Sequence, residues 1–215
     1  CRSLNASIQN FTKEKLKKLK KQPEHELVEE IIKKYKVEER RDRNIICIDP
    51  KSSKDFDDAM GLIHQEDYTL LSIYIANVPL WLDYLNLWGS FSKRVSTIYL
   101  PDKKLPMLPT VLSDILCSLQ SDSSRFAFAL DLKIENSSGL VVDYGFSNTI
   151  INVKKNYVYD SKEMEESLLY QDVYNIVCKM NKNNRYTYKV KNCHDVVAYL
   201  MILMNHKCAE EMSKQ

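Results

Sequence analysis

The sequence predicts an α+β domain in which helices pack against an antiparallel or mixed sheet. Strand-like runs crowd residues 45–151, helical periodicity dominates residues 160–214, and short turn sequences join the strands in pairs. The first 43 residues are charged and helical in character, a leader to the domain that follows. Within it Leu27, Val28, Ile31, Ile32 and Tyr35 recur at helical spacing, so residues 24–36 read as an amphipathic helix with Pro23 near its start. Strands are expected over 45–48, 59–64 and 68–75, the last two linked as a hairpin through Gln65-Glu66-Asp67. Trp81, Trp88 and three prolines mark 80–120 as a loop-rich stretch around short helices. Two more strands, 126–134 and 140–151, flank the turn-forming Asn136-Ser137-Ser138-Gly139. Helices are expected over 160–181 and 193–214. In the second, Val197, Met201, Met204, Cys208 and Met212 follow 3.6-residue spacing and read as a core-facing stripe.

The 215 residues suffice for one good core, and 44% hydrophobic with 28% charged residues describes an ordinary globular protein. No apolar run approaches the roughly 18 residues needed to span a bilayer, and no signal peptide opens the chain. It begins with Cys1, which suggests a fragment or a processed chain. None of the six cysteines forms a CxxC pair and no histidine lies at zinc-finger spacing from one, which argues against a structural zinc. Cys47 and Cys117 sit in apolar surroundings as buried thiols, in keeping with a reducing, intracellular compartment. A net charge of +2 says little about nucleic acid. The basic runs 13–21 and 179–191, the second interleaved with Tyr186 and Tyr188, can track a phosphate backbone or form solvated faces. With four glycines, no phosphate-cradling loop can be drawn, which excludes a P-loop nucleotide site.

Chemistry concentrates between Cys47 and Met60, where Asp49, Asp55, Asp57 and Asp58 fall within ten residues. Carboxylates so close repel one another, and a fold tolerates them through water, basic partners or a cation. Apolar strands on both sides hold them on a rigid base. Hard oxygen ligands of this kind suit Mg²⁺, with Mn²⁺ as the alternative, leaving positions for water and substrate phosphate. A solvated acidic turn is the bland alternative. An EF-hand loop fails, because Ala59 and Met60 would occupy its fifth and sixth positions, where a ligand and a glycine belong.

Asp49-Pro50, and six residues after Asp49 the string Asp55-Phe56-Asp57-Asp58-Ala59, resembles the signature of the RNase II/RNase R family, the RNB-domain exoribonucleases. Collinear matches follow at Ile73 to Val78, Arg94 to Leu100, Pro106-Met107-Leu108-Pro109, Leu112-Ser113, Cys117-Ser118-Leu119, Arg125 to Phe128 and Leu200 to Asn205. The resemblance implies that residues 44–215 are the amino-terminal part of an RNB catalytic domain. It also implies Mg²⁺-dependent 3′→5′ hydrolysis of single-stranded RNA to 5′-monophosphates by metal-activated water. On that resemblance Asp49, Asp55, Asp57 and Asp58 hold the metal and carry catalysis, with Asp57 the most critical for turnover. Tyr99 packs against the terminal nucleotide, Tyr159 helps position the 3′ end, and Arg94 contacts phosphate or braces the acids. Implied too are a cytoplasmic or nuclear location and association with a larger RNA-degradation complex.

The chain also departs from the family pattern. Tyr74 stands in place of a histidine, Asn77 in place of an aspartate, and Ala198-Tyr199 in place of a Glu-Glu pair. The family's later arginine-bearing segment, its S1 barrel and its cold-shock domains are not matched in these residues. Retention of all four aspartates favours an enzyme. The departures favour a degenerate or truncated module that binds RNA or a partner without chemistry.

Overall fold

A computed structural model describes residues 24–214 apart from 92–96, 103, 106, 109–110, 122 and 184–185. The lysine-rich run 13–21, Cys1 and Arg94 lie outside the described residues. The order of elements is α1 (Glu24–Tyr35), β1 (Glu38–Arg40), β2 (Ile45–Asp49), β3 (Asp58–His64), β4 (Tyr68–Ala76), α2 (Val78–Tyr84) and α3 (Trp88–Phe91). A small ribbon of β5 (Ile98–Tyr99) and β6 (Lys104–Leu105) precedes a π-helical turn, Val111–Leu116. Then come β7 (Ser124–Glu135), β8 (Val141–Asn152), β9 (Lys155–Val158), α4 (Lys162–Glu165), α5 (Leu168–Asn183) and α6 (Cys193–Met212).

Seven strands form one sheet in the order β1-β8-β7-β4-β3-β2-β9. The central pairs are antiparallel, as the turns predict, and the two edge pairs, β1 with β8 and β2 with β9, are parallel. The α+β class and the mixed sheet therefore agree with the sequence. The sheet must also curl. β8 ends at Asn152 and β9 begins at Lys155, yet they are second and seventh in the order. Five strand spacings of ~4.8 Å amount to about 24 Å across a flat sheet, whereas three Cα steps reach only about 11 Å. Closure is made by Lys154 N–H donating to the Ile45 carbonyl at 2.8 Å and by a bridge between Ser121 and Val153.

Alternation along the strands divides the apolar residues between two faces. Ile45, Cys47, Ala59, Tyr74, Ala127 and Ala129 meet Leu27 and Ile31 of α1, Leu80 and Trp81 of α2, and Leu112 of the π-turn. Ile46, Ile48, Met60, Leu71, Ile73, Leu130 and Leu132 lie under Met164, Val173, Val177, Val196, Leu200 and Leu203 of α4 to α6. Cys47 and Cys117 are buried, as expected. At the turn before β8, Gly139 has φ +72°, and a Cβ there would lie 2.9 Å from the Lys179 Cβ.

Two helix expectations need correction. The helix expected over 160–181 is two, because Ser161 Oγ accepts from Met164 N–H to open α4 and Ser167 Oγ accepts from Tyr170 N–H to open α5. In α6 the expected stripe holds at Val197 and Met204, which are buried, and at Met201 and Cys208, which pack half-buried on the same core; Cys193, Val196, Leu200 and Leu203 widen it, and only Met212, 74% exposed, falls outside it. The short edge strands β1 and β9 carry no alternation long enough to announce themselves in the sequence. No helix among the described residues is long and apolar enough to cross a membrane.

Candidate metal centre

Asp49 is the last residue of β2 and Asp58 the first of β3, so two carboxylates are carried by the ends of neighbouring strands. The intervening loop is stapled from outside. Phe56 N–H donates to Ser118 Oγ at 3.0 Å, Leu119 N–H donates to the Phe56 carbonyl at 2.8 Å, and Ala76 N–H donates to the Asp57 carbonyl at 2.8 Å. Asn156 of β9 secures the turn that provides two of these contacts, donating to the Leu119 carbonyl and accepting from Ser121 N–H. The Cys117-Ser118-Leu119 motif thus acts as the clamp on the acidic loop. The family resemblance marks this motif but implies no role for it; the hydrogen bonds to Phe56 supply one.

The electrostatics are those of crowded, partly desolvated acids. Burial, then repulsion from Asp58, Asp57 and Asp55, raises the Asp49 carboxyl from 3.8 to about 7. Burial, then Asp57, raises Asp58 from 3.8 to about 6. The Oδ2 atoms of Asp49 and Asp58 are buried and lack a hydrogen-bond partner. Asp57 helps push the Cys117 thiol up to about 12, after burial, and Asp58 helps push Tyr159 up to about 12, after burial. Cys47, buried beside Asp49 and Asp58, is raised well above its usual range. Both thiols stay protonated near neutrality and offer no nucleophile.

Two orphaned oxygens in an oxygen-only donor set fit a hard divalent cation, which would satisfy them and relieve the repulsion. Tyr159 follows β9, with its N–H donating to the Asp49 carbonyl at 3.0 Å, which places its half-buried ring beside the acids. That ring lies flat on His194, centroids 4.0 Å apart and planes within 13°. Tyr99 is on β5, in register with Lys104 of β6, and its side chain lies outside the described residues, as does Arg94.

The matching family model is the RNB domain, over residues 37–164. The chain belongs to the RNB family. It is 34% identical over 149 residues to Ribonuclease R of Chlamydia muridarum, covering 66% of this chain and 21% of that protein. It is 32% identical over 171 residues to Ribonuclease R of Mycoplasmopsis pulmonis, covering 78% of this chain and again 21% of that protein. Among solved structures, Mycoplasma genitalium RNase R in complex with double-stranded RNA matches with a TM-score of 0.69 at 20% identity, covering 83% of this chain and 38% of that one. The Dss1 exoribonuclease of Candida glabrata matches at 0.68 and 18% identity, covering 83% and 29%. These two likenesses concern the fold. The chain spans about a fifth of the length of the curated relatives it matches.

The family departures have structural explanations. Tyr74 is fully buried in the face beneath α1 and α2. Asn77 caps α2, its Oδ1 accepting from Leu80 N–H at 3.2 Å, a task asparagine performs as well as aspartate. Tyr199 is fully buried with its ring 5.4 Å from Tyr186, and Ala198 faces solvent.

Proposed function

We propose that this chain supplies the acidic metal-binding part of a 3′→5′ exoribonuclease that hydrolyses single-stranded RNA to 5′-monophosphates. The observation that carries this reading is the pair of buried, unpartnered oxygens on Asp49 and Asp58, set on strand ends beside Asp55 and Asp57. Mg²⁺, with Mn²⁺ as the alternative, would be held by these four aspartates, and when bound it activates water and neutralises charge on the phosphoryl group. The rest is the work of the protein. β2 and β3 fix the carboxylates, and the Ser118 clamp prevents the loop from relaxing away from the charge it concentrates. Tyr159 offers a ring beside the acids on which a terminal base or sugar can rest, and Tyr99 and Arg94 are assigned to the same RNA end by family resemblance. Asp57, whose backbone carbonyl is tied to β4, is the residue whose charge turnover should need most.

Binding of RNA or a partner without hydrolysis is favoured by Ala198 and Tyr199, which leave no carboxylate at that point of α6. Location in cytoplasm or nucleus and membership of a larger degradation complex belong to the same proposal. The deciding experiment is degradation of a homopolymer by the full-length parent protein with and without Mg²⁺. Metal-dependent release of 5′-monophosphates from a free 3′ end supports the nuclease. Cyclic or 3′-phosphate products would show attack by the 2′-hydroxyl and overturn it, and binding without products would establish the alternative.

A further inference from the structure

Beneath the ring of Tyr159 lies a second group of side chains, chemically unlike the first. Asp160 follows Tyr159 in a left-handed turn (φ 56°), a conformation aspartate adopts at low cost, and its carboxylate reaches the first turn of α6. There Cys193 Sγ donates to Asp160 Oδ1 at 3.2 Å, and His194 Nε2 lies 3.2 Å from Asp160 Oδ2. One sulfur, one imidazole nitrogen and one carboxylate oxygen all fall within 4.8 Å of one another, the group of metal-ligand type that meets this condition among the described residues.

That donor set differs from the aspartate centre in kind. Thiolate and imidazole favour a borderline-soft ion, whereas the four aspartates favour a hard one. The sulfur and the imidazole nitrogen each stand 3.2 Å from one of the two Asp160 oxygens, and the three ligand atoms lie within 4.8 Å of one another. Tetrahedral bonds of about 2.0–2.3 Å place neighbouring ligands roughly 3.3–3.6 Å apart, so side-chain movements of about an ångström bring them onto an ion. Thiolate and carboxylate together balance a double positive charge. Asp160 and Cys193 also line a cleft of about 430 Å³ with Tyr170, Tyr174 and Lys191, which gives an ion and its fourth ligand a way in.

We propose that Asp160, Cys193 and His194 form a zinc site with one position open to this cleft. Zn²⁺ displaces the Cys193 thiol proton to solvent and fixes the imidazole on which Tyr159 lies. Metal binding here is independent of the nuclease reading. Only its consequence for an RNA end rests on that reading.

Cobalt is the probe. The reduced 215-residue chain, held in excess Mg²⁺ so that the aspartates are occupied by a hard ion, is titrated with Co²⁺ and followed by absorbance. One equivalent of four-coordinate Co²⁺ with a thiolate charge-transfer band is expected, lost on addition of Zn²⁺. Cys193→Ser should abolish the band, while Cys178→Ser and Cys208→Ser retain it. His194→Ala and Asp160→Asn should each weaken binding by about tenfold or more. Absence of the band in the unaltered protein overturns the proposal whatever the variants do. Its survival in Cys193→Ser assigns the thiolate elsewhere and overturns it equally.

Discussion

Replacing Asp58 by asparagine should stabilise the metal-free protein. In the fold the Asp58 carboxyl titrates at about 6 against an ordinary 3.8, because burial and the Asp57 charge both disfavour ionisation. The folded state therefore holds this proton more tightly than the unfolded chain. The contribution of the neutral acid is fully present below about pH 4 and is lost as pH rises through about 6. Two units at about 1.4 kcal/mol each give about 3 kcal/mol at pH 8. Asp49 shifts in the same sense, to about 7, but it is more exposed and shares the mutual repulsion, so its contribution is smaller than its shift suggests and does not simply add. An asparagine at 58 keeps the shape, cannot ionise, and can donate from its amide to the Asp49 carboxylate. Asp58→Asn should gain about 2–3 kcal/mol in EDTA near pH 8, the gain falling to nothing below about pH 4. Saturating Mg²⁺ should close the gap by neutralising the charges in the unaltered protein. Urea unfolding followed by tryptophan fluorescence, to which the buried Trp81 contributes, measures this. A loss of stability in EDTA near pH 8, or a gain that persists in acid, would refute the idea that unrelieved repulsion is built into this loop.

Asp57→Asn in the full-length parent should lower turnover on the order of 10²–10³-fold while leaving RNA affinity within a few-fold, measured by single-turnover degradation and filter binding. Ser118→Ala removes the buried hydroxyl that accepts from Phe56 N–H; it should cost about 1–3 kcal/mol in urea unfolding and weaken Mg²⁺ binding by calorimetry, since the clamped loop carries the acids. Tyr159→Ala and Tyr99→Ala should each lengthen the final undegraded oligonucleotide more than they weaken binding to long RNA, with the phenylalanine variants mild; unchanged end products would make both packing residues. Arg40→Ala should cost about 3 kcal/mol, because Arg40, 3% exposed, makes paired hydrogen bonds of 2.8 and 2.6 Å to Asp131, whose charge would be left without that partner.

The carboxylate string, the hairpins at 65–67 and 136–139, the apolar alternation and the family membership were legible in the sequence because each is local. A strand that must bury one face shows it within a few residues, and a motif whose atoms share one loop keeps its spacing whatever surrounds it. The order of strands was not legible, because β8 and β9 are neighbours in sequence but meet across a closure that only the curl of the whole sheet creates. Nor was the difference among the four aspartates. They look equivalent along the chain, yet burial strips a partner from one oxygen of Asp49 and one of Asp58, and burial is set by strands and turns contributed from residues 118–121 and 155–159. Asp160 and the Cys193-His194 pair are separated by more than thirty residues, and no spacing rule links them. α6 places its first turn against the end of β9, and proximity in space, which periodicity does not encode, makes them one group.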